Sequence, residues 1–468
     1  MIASSAWRGK RFAVLGLARS GRATVAALLA SGAEVVAWDA DAGRREAILP
    51  GTGRGTAGEA GGGGGTASSV APAASPLHQP AADPPPRAGE DLTLADPLDT
   101  DLAGFDAVVV SPGVPLNRHP IAARAEAAGV PVIGDIELFA QAREQLPAHK
   151  VVGVTGTNGK STTTALVHHI VEAAGWPARL GGNIGLPILA ADPLPEGGVY
   201  VLELSSYQID LTRSLDCDVA VLLNITPDHL DRYADFDAYA ASKARLFAMQ
   251  APDHAAVVGI GGTPSYEVAR SLSARGEHLT KIAPGACMNQ SRWPALQGPH
   301  NAQNALAAIA VCEALGLSRE AIDRGLESFP GLPHRMERIG TVNGVLYVND
   351  SKATNPTSTA SALAAFDRTH WILGGQAKTD DLEPCRPAFG HVACAYTIGE
   401  AGPMFARLLR PDMAVEECGT LAEAVARAAK RAEPGDTVLL SPACASFDQF
   451  RDYEERGSAF RSLVGGLA

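Results

Sequence analysis

The residues Thr155-Gly-Thr-Asn-Gly-Lys-Ser-Thr162 place two glycines, a lysine and a run of hydroxyls between an apolar stretch, Val151 to Val154, and a helix-like segment from Thr163 to Ala174. A strand that feeds such a loop into a helix makes a phosphate cradle. Backbone N–H groups and the positive end of the helix dipole converge on phosphate oxygens, Lys160 adds a point charge, and Ser161 or Thr162 can reach Mg²⁺. Lys-Ser-Thr at the helix start disfavours the plainer reading of a glycine turn before a core helix. A nucleoside triphosphate is the expected ligand, cradled by Gly156, Thr157, Asn158, Gly159, Lys160, Ser161 and Thr162.

Other residues capable of chemistry sit where apolar runs end. Glu203 closes Val199-Tyr-Val-Leu-Glu203, which suits a second oxygen contact to Mg²⁺; pairing with a lysine is the alternative. Asp228, His229 and Asp231 follow the run Val219 to Ile225, as a metal or acid–base cluster or as a capped turn. Lys243 lies in a stretch of helical spacing and by itself reads as a solvated lysine. Asn301 is expected to cap the helical run after His300, while Asn304 faces a ligand. Arg335 suits phosphate, Asp350 ribose hydroxyls, and Lys352 an anion.

These positions require strands alternating with helices, which predicts mostly parallel sheets covered on both faces. The first segment carries Arg11 to Leu15, then Gly16-Leu-Ala-Arg-Ser-Gly21, a helix, and Glu34 to Trp38 closing on Asp39. That β-α-β unit is similar to a dinucleotide crevice, with Ala18 in place of the middle glycine; plain packing is the alternative reading. The Gly-, Pro- and Ala-rich tract from about 50 to 97 is expected to be a disordered insertion, with order returning at Phe105 to Val110 ahead of Ser111-Pro-Gly113.

The chain has 468 residues, enough for about three domains at ~150 residues each. Its 39 Lys and Arg against 51 Asp and Glu leave a net charge of −12, so no general basic footprint recommends nucleic acid or an anionic membrane. Seven cysteines without a Cys-x-x-Cys pair fit a reducing compartment, and Cys444 reads as a buried structural thiol. No stretch offers ~18 uncharged apolar residues, so a soluble, cytoplasmic protein without membrane insertion is expected.

Taken in order, the phosphate loop, Gly181-Gly-Asn-Ile-Gly185, Glu203-Leu-Ser-Ser-Tyr-Gln208 and the Asp228-His229 turn are followed by His300-Asn-Ala-Gln-Asn304 and Leu332-Pro-His-Arg335. Asp350-Ser-Lys-Ala-Thr-Asn355 and Leu440-Ser-Pro-Ala-Cys-Ala-Ser-Phe-Asp-Gln-Phe450 complete the set. Together they resemble the Mur ligases over nearly the whole chain, and most closely their glutamate-adding branch. The resemblance implies an α/β fold of three domains: a Rossmann-like N-terminal domain (1–137), a central P-loop-type parallel-sheet ATPase domain (138–331) and a C-terminal Rossmann-like domain (332–468). It implies ATP-dependent amide formation in peptidoglycan synthesis, in which a muramoyl-L-alanine carboxylate is phosphorylated and the acyl phosphate is captured by D-glutamate.

Carried over residue by residue, the resemblance gives Lys160, Glu203, His229 and Lys243 catalytic roles. Ser161 and Glu203 would hold one Mg²⁺; His229 and Lys243, the latter as a CO₂-derived carbamate, would serve a second. Asn304, Arg335 and Asp350 would contact ATP. Ser20, Asp39, Ser111 and Gly113 would face the uridine diphosphate end of the substrate, with Asn183 nearer the muramoyl-alanine. Lys352, Thr354, Lys378, Ser446, Phe447 and Tyr453 would meet D-glutamate, with Tyr453 standing where phenylalanine is expected. A monomer that closes on its substrates by hinge motion is implied. Three other readings compete: another ligase of the superfamily, extending folate or adding a different amino acid; a non-catalytic ATP switch; and a dehydrogenase resting only on Gly16 to Gly21.

Overall fold

The computed structural model describes residues 1–48, 91–228, 231–283, 285 and 288–467. Two units emerge, each with its own packing. The first comprises Met1–Leu146 with Leu186–Pro193 and Leu211–Ser214, and the second Pro147–Gly185, Leu194–Asp210 and Leu215–Ala468.

The first unit is built on five parallel strands in the spatial order Leu92–Leu94, Glu34–Trp38, Arg11–Leu15, Ala107–Val110 and Val132–Ile133. Phe12 to Leu15 and Ala107 to Val110 are buried without interruption, as expected of central parallel strands covered on both faces. The tract expected to be disordered requires a correction at its end. Residues 49–90 lie outside the described residues, but Leu92–Leu94 is an edge strand whose backbone pairs with Val35 to Ala37, so regular structure resumes well before Phe105. The expected boundary after residue 137 falls inside a helix, Asp135–Ala142, which buries Ile136, Leu138 and Phe139 and packs on the helix Arg19–Ala30.

The second unit contains two sheets. Six parallel strands run in the order Leu279–Ile282, Ala255–Gly259, Val219–Leu222, His149–Thr155, Gly198–Glu203 and Ala178–Gly182. Helices Lys160–Ala173 and Pro299–Leu315 pack their buried alanine, leucine, isoleucine and valine side chains on one face of this sheet. In the last sheet, Glu337–Val342 runs antiparallel to Val345–Asn349; Thr437–Leu440, Thr369–Gly374, Val392–Ile398 and Val415–Gly419 continue in parallel. The architecture is the expected α/β one, and its ligand-bearing loops leave the carboxyl ends of the strands, where open parallel sheets bind ligands.

Candidate active site

Strand His149–Thr155 is buried from Val151 onward and delivers the phosphate loop to the helix beginning at Lys160. Gly156 and Gly159 take φ of 148° and 85°, and a Cβ on Gly159 would stand 2.3 Å from Asn304 Oδ1, so both conformation and space demand glycine. The loop is shaped from outside: Asn224 O accepts from Thr157 N–H at 3.0 Å, and Asn224 Oδ1 from Asn158 N–H at 2.9 Å. No side chain caps the helix that follows, so its first turn of N–H groups faces the cleft as donors for an anion.

The cleft encloses about 390 Å³ and takes walls from both sheets of the second unit. Thr157 to Thr162, Glu203 and Asn304 come from the central sheet; Arg335, Asp350, Lys352 and Thr354 come from the C-terminal one. Two hydrogen bonds join these walls: Arg335 Nη2 donates to Ser161 Oγ at 2.7 Å, and Ser358 Oγ to Asn158 Oδ1 at 2.8 Å. Lys160 Nζ donates to the carbonyls of Gly156 at 2.9 Å and Thr157 at 2.8 Å, and burial lowers its pKa.

Asn183, expected near the muramoyl end, lines this same cleft and donates to Glu203 Oε1 at 2.9 Å. Glu203 is buried, and among the described residues its other oxygen, Oε2, has no hydrogen-bond partner. A buried, unsatisfied carboxylate oxygen is costly until a cation or proton reaches it, so this residue fits a hard divalent ion. Among the described residues no group of three or more His, Cys, Asp or Glu could hold a metal ion. Glu203 beside the Ser161 hydroxyl and the phosphate loop is the donor set that Mg²⁺ takes, a carboxylate and a hydroxyl with phosphate oxygens and water.

Lys243 corrects the plain reading of a solvated lysine. It is 1% exposed, on the inner face of helix Phe236–Ala248. Its Nζ donates to Gly156 O at 2.9 Å and stands 4.7 Å from the centre of the Tyr239 ring. Burial, with the charge of Lys160, holds its pKa well below that of an ordinary lysine. His229, expected beside it, lies outside the described residues.

Asp350 directly follows strand Val345–Asn349 and is buried; burial raises its pKa to about 7, although Ser441 Oγ donates to it at 2.9 Å and Met336 N–H at 3.2 Å. Lys352 lies against the Tyr453 ring, 3.6 Å from its centre, and burial and Arg335 lower its pKa to about 8. Lys378, Ser446, Phe447 and Tyr453 are not among the residues lining the cleft, and Phe447 is 69% exposed. Cys444 is fully buried, and its thiol is pushed up to about 12 by that burial, as expected of a structural thiol.

The remaining candidates belong to the first unit. Asp39 Oδ2 accepts from Leu17 N–H at 2.7 Å and Oδ1 from Asp41 N–H at 2.9 Å. Burial works to raise its pKa, but these bonds and Arg44 outweigh that and hold it low. Ser111 Oγ donates to Gly16 O at 2.9 Å, and Ser20 and Ser111 line one interstice too tight to admit a water molecule. Gly113 sits in the loop after Val110, with open space where a side chain would project.

Asn301, the N-cap expected from the sequence, is not the cap: that is Gly298, and Asn301 sits in the first helical turn, donating to Gln297 O at 3.1 Å and accepting from Asn304 at 3.0 Å. His300, to which the sequence alone assigns no role, lines the cleft; among the described residues its buried Nδ1 has no partner, and burial lowers its pKa to about 4. Neighbouring Asn304 was the available signal, since a helix that turns one polar residue to a ligand at its start can turn the residue four positions earlier the same way.

The chain matches the Mur ligase middle domain over residues 154–283 and the Mur ligase glutamate ligase domain over 334–444. It is 58% identical to the UDP-N-acetylmuramoylalanine–D-glutamate ligase of Novosphingobium aromaticivorans, with 100% of this chain and 97% of that one aligned. The enzymes of the same name from Sphingopyxis alaskensis and Zymomonas mobilis are 56% and 53% identical, with both chains of each pair fully covered. Among solved structures, the UDP-N-acetylmuramate–alanine ligase of Thermotoga maritima superposes with a TM-score of 0.55 at 15% identity, over 98% of this chain and 100% of that one. One of the D-alanyl-D-alanyl-adding ligase of Acinetobacter baumannii gives 0.52 at 18%, over 80% and 92%; both likenesses concern the fold alone. With relatives of that identity aligned over its whole length and two of the family's domains in order, the chain belongs to the Mur ligase family.

Proposed function

We propose that this protein is an ATP-dependent ligase that joins D-glutamate to UDP-N-acetylmuramoyl-L-alanine through an acyl phosphate, a cytoplasmic step of peptidoglycan precursor synthesis. The substrates follow the names of its full-length relatives. The observation that carries the chemistry is that one cleft holds the phosphate loop together with Lys352 and Thr354 of the C-terminal sheet, so the γ-phosphate and an acidic amino acid have binding groups within the same walls.

The reaction needs cations, because a carboxylate must approach a triphosphate and both are anionic. Lys160, released from the carbonyls of its own loop, neutralises phosphate oxygens as the transferred group moves. Arg335 and the uncapped helix N-terminus hold the nucleotide, while Asn304 and Asp350 orient its base and ribose. Mg²⁺ at Glu203 and Ser161 supplies electrostatic neutralisation of the phosphates. Lys352 supplies the positive charge that meets the glutamate carboxylates, and Lys378, Ser446, Phe447 and Tyr453 complete that subsite. Ser20, Asp39, Ser111 and Gly113 of the first unit hold the uridine diphosphate.

Lys243 is the seat of a carbamate: burial lowers its pKa and so raises the share of free amine, which adds to CO₂, releasing one proton and leaving an anionic oxygen ligand. A ¹³C resonance from labelled bicarbonate that vanishes in Lys243→Ala supports this assignment, and its absence in the native protein removes it. The whole reading is tested by phosphate release with ATP, Mg²⁺ and UDP-N-acetylmuramoyl-L-alanine, comparing D-glutamate, L-glutamate, L-lysine, diaminopimelate and no amino acid. Release that needs both the UDP-substrate and D-glutamate, with the adduct seen by mass spectrometry, is expected. Release driven by another amino acid redirects the substrate assignment, and no coupled release leaves a nucleotide-binding switch.

A further inference from the structure

Arg456 is 1% exposed, yet among the described residues no carboxylate pairs with its guanidinium. Burying an arginine costs free energy that only well-made hydrogen bonds offset, so the bonds it does make show what that burial secures. Nε donates to Ser351 Oγ at 3.0 Å and Nη2 to Ser351 O at 2.8 Å. The same Nη2 reaches Cys444 O at 3.0 Å, and Nη1 reaches Ala445 O at 3.2 Å. A Cβ on Gly375 would stand 3.2 Å from Nη1, so the third strand-end loop packs directly on the guanidinium. One planar fork thus hydrogen-bonds the loops that leave strands Val345–Asn349 and Thr437–Leu440, with Gly375, after strand Thr369–Gly374, packed beside it.

The same helix, Tyr453–Gly465, grips the first of these loops twice more. Ser351 Oγ donates to Tyr453 O at 2.9 Å, and the Tyr453 ring lies beneath Lys352 Nζ. Tyr453 and Arg456 are three residues apart on one helical face, so they act on Ser351 and Lys352 as neighbours. Burial lowers the Arg456 pKa only to about 10, and it stays a cation at physiological pH.

We infer that Arg456 is a positioning residue for the amino-acid substrate: its guanidinium sets the spacing between Lys352 and Ser446 by fixing Ser351 against the Cys444–Ala445 backbone. The inference rests on the reading of Lys352 and Ser446 as the glutamate subsite. Lysine, with a point charge and three donors that radiate from one nitrogen, cannot span both loops as the fork does.

The test is steady-state kinetics of Arg456→Lys with each substrate varied in turn, alongside the native enzyme and the thermal midpoint of each protein. If the native enzyme shows no D-glutamate-dependent release, the functional reading fails before the variant is considered. With an active native enzyme, a rise of about tenfold or more in KM for D-glutamate is expected, with KM for ATP within about twofold. Equal rises for all substrates would reduce Arg456 to a structural role, and unchanged constants would overturn the inference outright. Should Arg456→Lys not fold, Ser351→Ala decides: it removes one acceptor of the fork without touching Lys352, and must shift KM for D-glutamate in the same selective way, by a smaller factor.

Discussion

Two loops in this chain share a plan, strand to glycine turn to helix, and differ in what their donors face. At Gly16 to Gly21 the carboxylate of Asp39 already occupies the Leu17 N–H at 2.7 Å, and Gly21 packs so tightly that an added Cβ would stand 1.8 Å from Gly16 O. At Thr155 to Thr162 two loop N–H groups are held by Asn224, the helix start is uncapped, and Lys160 rests on its own loop's carbonyls. A turn that carries its own carboxylate presents hydrogen-bond acceptors to a sugar or base, whereas one that carries a lysine receives phosphate. The dehydrogenase reading rested on Gly16 to Gly21 alone, and the full-length likeness to D-glutamate ligases replaces it.

The largest effect expected from breaking this contrast is at Lys160. Lys160→Met keeps the stem and removes the charge, and D-glutamate-dependent phosphate release should fall by about 10²–10³ in kcat or more. A fall below tenfold would mean that the phosphate loop does not carry the chemistry. Next is Gly159→Ala, which forces a side chain into left-handed backbone and onto Asn304. It should lower unfolding free energy by roughly 1–3 kcal/mol and weaken ATP-analogue binding, read by calorimetry.

The matching change in the other loop is Asp39→Asn. It should raise KM for the UDP-substrate about tenfold and leave nucleotide affinity unchanged, because only the first loop is altered; a shift in ATP affinity would erase the distinction between the loops. The smallest effect concerns pH. The Asp350 pKa is raised in the folded state to about 7, so its protonated form is favoured by folding; that stabilisation is fully present below the unfolded value of ~3.9 and is lost as pH rises through about 7. Asp350→Asn should therefore flatten the decline of thermal midpoint between about pH 4 and 7. An unchanged slope would show that this carboxyl is not the group responsible.

Legibility followed chain locality. The phosphate loop could be read because its strand, glycines, lysine and helix are consecutive, and each residue type has a local physical reason. The α/β architecture was legible in uninterrupted apolar runs such as Val199 to Leu202. Leu92–Leu94 was not, because a three-residue edge strand next to a Gly- and Pro-rich tract is defined by its pairing with Val35 to Ala37. The Asn301 cap was misplaced because Pro299 and His300 already belong to the helix, and Gly298 precedes it.

By itself the sequence determined the α/β class, the phosphate loop and the chemical types available at each strand end, since these depend on residues adjacent in the chain. Only the tertiary structure decided that Lys243 is buried against Gly156, that Asn183 turns to Glu203, and that Arg335 reaches Ser161. Arg456, 105 residues after Ser351, belongs to the same class. The physical reason is that burial, and with it the energy of a charge and the partner of a hydrogen bond, is set by groups distant in sequence, whose positions no local pattern encodes.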